Sequence, residues 1–318
     1  MKWIVGVAMI SIAMGWAATA TMPAATVTID PTSLKFLPPE TQGLAVIDVA
    51  GLVGTPLVQD AVKNRPLIQN GSPDLQEFIT ETGIDPMKDI HTVTVVKLGT
   101  NDAFFVVQGR IDKFKVQQYL VGKGKQPDGY LGQTIYYDRV DHDKDGAIAV
   151  LDNLLLFGQA TAVKKGLEQM QIPGSSPLRS DLLAAIQTID AGNQIWGVGD
   201  VSVSDLPATG LRGPAPVMDM LKTLQRGTYQ MRVDTGVHIR ATGSFADADS
   251  AKNISDVATG ALAIAKLQVA KGQPDMLQAL DGIQVNNSGT TLTLKIDEPG
   301  DLLKKVSHGL SGLTGKIR

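Results

Sequence analysis

Leu44-Ala45-Val46-Ile47-Asp48-Val49 and Ile195-Trp196-Gly197-Val198-Gly199-Asp200-Val201 are the two stretches on which the fold reading turns. Each is a short apolar run that closes on Asp-Val, and a run of this length reads as a buried strand. Each also opens a succession of segments of the same kind. After the first, residues 56–69 and 73–82 read as helices split at Asn70-Gly71, with Gly83 as a C-terminal cap. Strands follow over 92–98 and 103–111. Asp112 then N-caps a helix through 120, a Gly/Lys-rich loop runs over 122–132, strands cover 134–140 and 147–157, and a helix covers 160–170.

After the second stretch come a helix at 216–224, strands at 228–234 and 237–245 around Thr235-Gly236, and a long alanine-rich helix over 248–270. A hairpin around Asn287-Ser288-Gly289 joins 282–286 to 290–296, and a helix covers 301–307. Between the halves, Ser180 is placed to N-cap a helix over 181–189.

Both halves thus read β-α-β-β-α-β-β-α. The first six elements are the order of a ferredoxin-like split βαβ unit. The expected fold class is α+β: two tandem ferredoxin-like repeats with mostly antiparallel sheets covered by helices on one face. The expected layout is a signal peptide over 1–20, an exposed lead-in over 21–42, a first repeat over 43–170, a connector with a helix over 171–192, a second repeat over 193–310, and a tail over 311–318.

The N-terminus carries an address. Met1-Lys2 is a short positive start, residues 3–18 hold no charge, and Ala18-Thr19-Ala20 is a small-x-small cleavage pattern. That order is expected of a secretory signal peptide; retained instead, the same run is at the lower edge of what spans a bilayer. Export to the periplasm or the cell exterior is the expectation. The chain has no cysteine, so neither a lipid on a thiol nor a disulfide is available, and stability rests on packing. Pro23 and Pro38-Pro39 keep the lead-in out of regular structure.

Composition narrows the function classes. At 318 residues with 43% hydrophobic and 19% charged side chains, a folded protein of up to two domains is expected. The net charge of −3 provides no general basic field for nucleic acid. Aromatics are 5%, and Trp3 and Trp16 fall in the leader, so Trp196 is the single tryptophan of the mature chain.

The layout resembles exported bacterial proteins of uncharacterised function with tandem α/β repeats. The Pro39-Glu40 lead-in and the strand from Leu44 closing on Asp48-Val49 carry the resemblance. It implies an extracytoplasmic location, α/β repeats and no assigned chemistry.

No catalytic motif emerges. His91, His142, His238 and His308 show no zinc spacing. There is no Gly-x-Ser-x-Gly elbow, no Gly-x-Gly-x-x-Gly after a strand, and Gly122-Lys123-Gly124-Lys125 lacks P-loop spacing, which favours a solvated loop. No catalytic or cofactor-binding residue is assigned.

Calcium is the one cofactor left open. Asp141-His142-Asp143-Lys144-Asp145-Gly146 sets acids at positions 1, 3 and 5 of a loop with glycine at 6, the opening of an EF-hand loop. Asp141, Asp143 and Asp145 are the candidate ligands, with the Ala147 carbonyl at position 7 and Asp152 at position 12. The flanks read as strands rather than helices, and the competing reading is an acidic hairpin turn.

Two further segments suggest contacts. Residues 205–216 form a long Pro/Gly loop. The helix over 248–270 sets Ala251, Ile254, Val257, Ala258, Ala261, Leu262 and Ala265 at helical spacing, as a core helix or a partner surface. Three functions follow in order: a non-enzymatic binding or scaffold protein for an unknown protein or small ligand, an enzyme with a site of scattered carboxylates and basic residues between the repeats, and a membrane-anchored envelope protein that keeps its leader.

Overall fold

A computed structural model describes residues 26–64, 73–100, 102–137, 146–172, 178–201, 219, 221–269, 272–303 and 305. They fall into two compact units, Thr26–Thr188 and the described residues from Ile189 onward.

The first unit runs α1 (Pro31–Leu34), β1 (Gly43–Asp48), α2 (Val49–Val53), α3 (Pro56–Asn64), α4 (Pro73–Thr82), α5 (Pro86–Asp89), β2 (Ile90–Lys97), β3 (Ala103–Gly109), α6 (Lys113–Gly122), β4 (Gln126–Tyr130), β5 (Gln133–Tyr137), β6 (Gly146–Leu151), β7 (Leu154–Gln159), α7 (Ala160–Met170) and α8 (Ser180–Ile186). Its strands lie in the order β1-β2-β3-β7-β6-β5-β4, and each neighbouring pair is antiparallel.

This order corrects the ferredoxin-like expectation. In a split βαβ unit the third strand lies between the first two. Here β1 pairs directly with β2, from Gly43 opposite Lys97 to Asp48 opposite Thr92. The helices between them return the chain beside the strand it left. β3 adds outside β2, and the β6–β7 hairpin adds outside β3.

The sheet is also covered on both faces, not one. Val116 and Leu120 of α6 pack with Ile84, Ile111, Tyr136 and Val150 on one face. On the other face α7 buries Ala162, Val163 and Leu167 and brings Gly166 against Phe104 and Leu156. Burial on both sides explains why β6 reads Gly-Ala-Ile-Ala-Val-Leu with no polar alternation.

The described part of the lead-in alternates exposed residues with a few buried anchors. Asp30 caps α1 by accepting from the Thr32 N–H at 2.7 Å. Ser33 is buried, meets the Thr94 hydroxyl at 3.1 Å and receives a hydrogen bond from Gln108 at 2.7 Å. Phe36 and Leu37 are buried as well.

The second unit contains β8 (Ile195–Asp200), β9 (Leu224–Val233), β10 (Gly236–Phe245), α9 (Ala248–Val269), α10 (Pro274–Asp281), β11 (Ile283–Ser288) and β12 (Thr291–Pro299). The strand order is β8-β9-β10-β12-β11, and every pairing is antiparallel. β8 pairs directly with β9, so the split unit is missing here too. With seven strands in one unit and five in the other among the described residues, equal β-α-β-β-α-β-β-α repeats are not what forms.

α9 starts where Asp247 accepts from the Ser250 N–H at 2.7 Å and the Ser250 hydroxyl at 2.8 Å. Its first turns bury Ala251 and Ile254 against Phe245, with Leu224 and Leu292 beside them. On the opposite face of the sheet, Gln230 is buried across the ladder from Trp196. Gln230 accepts from the Asp190 N–H and from Asn193, both at 3.0 Å.

Candidate functional site

Asp141, Asp143 and Asp145 lie outside the described residues, as does the 205–216 loop. The strands flanking the acidic loop are described. β5 and β6 form an antiparallel pair with Tyr137 opposite Ala147, so the flanks are a hairpin and not two helices. Ala147 is buried in the ladder between Tyr137 and Gly158.

Asp152 is removed from the loop altogether. It follows β6, and six residues of extended chain from Gly146 carry it roughly 20 Å away. There it is 89% exposed and ion-paired with Lys113 at 3.5 Å. EF-hand ligands converge on the ion at about 2.3–2.6 Å, so Asp152 does not close a shell begun at Asp141. Among the described residues, no group of three or more His, Asp or Glu side chains is set to hold a metal ion.

The histidines divide similarly. His142 and His308 lie outside the described residues, and His91 sits exposed near the start of β2. His238 is the structured one. It stands on β10 with Nδ1 2.9 Å from Asp297 and Nε2 3.2 Å from Asp234. Arg232 also reaches Asp234, at 3.3 Å. Burial pushes the Asp234 carboxyl up, but the Gly236 N–H, His238 and Arg232 outweigh it and hold the group below the usual carboxylate range. This cluster ties the β9–β10 turn to β12.

A cleft of about 300 Å³ opens between α4 and α6. Glu77 and Glu81 line one wall, and Lys115, Gln118, Tyr119 and Lys123 line the other. Lys123 of the Gly-Lys-Gly-Lys stretch is held here, 2.5 Å from Glu77 and 5.6 Å from the centre of the Tyr119 ring. Tyr119 in turn meets Phe78 edge-on.

The other feature open to a partner is the outer side of α9. Ala251 and Ile254 are core, as the helical spacing suggests, and Lys266 near the far end pairs with Asp281 of α10. Beyond Ser255 one side of the helix faces solvent, with Val257 45% exposed, Ile264 59% and Leu267 74%, while Ala258, Leu262, Ala265 and Val269 are half-buried. Gly260 has open space where a side chain would stand.

Glu298 is the residue that the sequence reading passed over. It is fully buried, and among the described residues neither carboxylate oxygen has a hydrogen-bond partner. A signal existed. In β12, Leu292, Leu294 and Ile296 share one face, and period-two alternation places Glu298 next on that face. No protein-family model, curated protein or solved structure matches the chain.

Proposed function

We propose that the chain is an exported, non-enzymatic binding or scaffold protein that works in the periplasm or outside the cell, and that the outer face of α9 is its contact surface. The observation that carries this reading is the solvent-facing row Val257, Gly260, Ile264 and Leu267. These residues fall at helical spacing of three, four and three, on one side of the helix.

The partner that fits is a second copy of the chain. Two such helices laid antiparallel about Leu262 bring Val257 of one against Leu267 of the other, and Gly260 against Ile264. Apolar residues meet apolar ones in both directions and Gly260 leaves room for Ile264, which is the self-complementarity a two-fold interface requires. The stretch from Val257 to Leu267 is about 15 Å long, so the contact is at the low end of specific interface sizes and the association is weak.

Sedimentation velocity over a range of concentrations tests the contact. A dimer that grows with concentration and disappears in Leu267→Glu supports it; a monomer at every concentration removes it. Export is tested separately by intact mass of protein recovered from the periplasm or the medium. A chain beginning near Thr21 is expected, and full-length protein found only in the cytosol overturns export.

A further inference from the structure

Glu298 occupies a position built for an apolar side chain. It lies opposite Val237 in the β10–β12 ladder. Val237, Val233 and Met231 fall on its face of the sheet by register, and all three are buried. The backbone is close-packed there: a Cβ on Gly236 would stand 2.3 Å from the Glu298 carbonyl oxygen. Just beyond, the Gly300 N–H donates to the Thr235 carbonyl at 2.9 Å, and Leu302 is buried.

Charged groups on the surrounding elements face elsewhere. Lys295 and Asp297 of β12, His238 and Arg240 of β10, and Arg232 of β9 lie on the opposite face of the sheet. Asp234, in the β9–β10 turn, is engaged with Arg232 and His238. Asp301 and Lys305 are exposed. On α9, Lys252 pairs with Asp256, and Lys266 with Asp281 of α10. Among the described residues Glu298 therefore has neither a hydrogen bond nor a counter-ion, and an ionised carboxylate so placed is strongly disfavoured.

We propose that Glu298 is a proton-operated latch: protonated, it keeps the end of β12 and the turn from Gly300 packed, and on losing its proton it lets this end of the second unit open. Burial pushes the carboxyl up from 4.5 to about 8. Because the folded value lies above the unfolded one, the stabilisation is complete below pH 4.5. It declines as pH rises and is gone above about 8. The opening is local because Glu298 stands one residue before the end of β12 and the residues just beyond it are held by the Gly300 hydrogen bond and the buried Leu302.

Amide hydrogen exchange of the intact protein from pH 5 to pH 9, corrected for the intrinsic pH dependence of exchange, tests the latch. The open fraction at the amides of 298 and 300–302 should rise about tenfold per pH unit up to about pH 8 and then level off. Amides of β6 in the first unit serve as the reference. Glu298→Gln and Glu298→Met should flatten the profile at 298–302 and leave β6 unchanged. A flat profile in the wild type overturns the proposal whether or not the variants fold. So does a sloping profile that either variant retains.

Discussion

Gly158 stands directly opposite Phe104 in the β3–β7 ladder, and the Ala103–Phe104 backbone occupies the space that a Gly158 side chain would need. A Cβ at Gly158 would lie 2.4 Å from the Ala103 carbonyl oxygen and 2.5 Å from the Phe104 Cα. Both are backbone atoms of a central strand, so the clash cannot be relieved by a rotamer change. Phe104 is fully buried and is also pressed by Gly166 of α7, whose own Cβ would come within 3.0 Å of the ring. Gly158→Ala is expected to destabilise the protein by about 3 kcal/mol, at the upper end of overpacking costs. Gly129→Ala, where nothing lies within 4 Å, is the neutral control. Denaturant midpoints of the two variants measure the difference.

Tyr130 and Glu168 offer a pH readout in the first unit. The Tyr130 hydroxyl donates to the Glu168 carboxylate. That bond, with burial and the nearby negative charge, raises the phenol from 10.0 to about 12. A raised folded value means that the contact stabilises fully below pH 10 and is lost as pH rises toward 12. In an ultraviolet titration Tyr130 should ionise late. Glu168→Gln removes the leading cause and should move that transition down, and an unchanged titration curve would show that Glu168 does not hold the phenol.

Much of the local structure was legible because single residues decide it. Asp112 accepts from the Lys115 N–H at 3.2 Å and starts α6 where a cap was read. Gly83 ends α4 with φ +73, and α9 keeps its expected span to within a residue. The misses have physical causes. Residues 147–157 read as one strand because both faces are apolar, yet Asp152-Asn153 turns the chain between β6 and β7, with Asn153 at φ +57. β4 holds Pro127 and Gly129, which argue against a strand, but it is the outermost strand of its order, where a missing N–H is tolerated. Sheet order was not legible, because nothing local distinguishes a β2 that pairs with β1 from one that leaves a gap for β3. Glu298 was legible in the alternation of β12, but a lone acid near a strand end ordinarily reads as solvent-facing.

Asp152 separates two readings of the acidic loop. Its carboxylate is committed to Lys113 at the far end of β6. Asp152→Asn should therefore leave any calcium response unchanged. If calcium is held, Asp141, Asp143 and Asp145 hold it, and Asp143→Asn should abolish the response. Calorimetric titration with calcium, to millimolar concentrations, compares the two variants. A response lost in Asp152→Asn would mean that β6 does not carry this residue away from the loop.

Gln230 gives the last test, in the second unit. Its side chain is buried, and Oε1 is the acceptor for two donors, the Asp190 N–H and Asn193 Nδ2. Asn193 also donates to the Asp190 carbonyl at 2.6 Å, and Arg240 holds the Asp190 carboxylate at 3.0 Å. One amide oxygen thus fixes the turn that leads into β8. Gln230→Leu keeps much of the volume but orphans both donors, and stranding buried donors costs about 1–3 kcal/mol. Gln230→Glu keeps the acceptor and should retain more of the stability than Leu does. Trp196 lies opposite Gln230 in the ladder and is buried, so its fluorescence reports unfolding of this unit. In the chain beginning at Thr21 it is the only tryptophan, so the signal has a single source. A Leu variant as stable as the wild type would show that these two hydrogen bonds contribute nothing net and that α9 and the apolar face of the sheet alone hold the unit together.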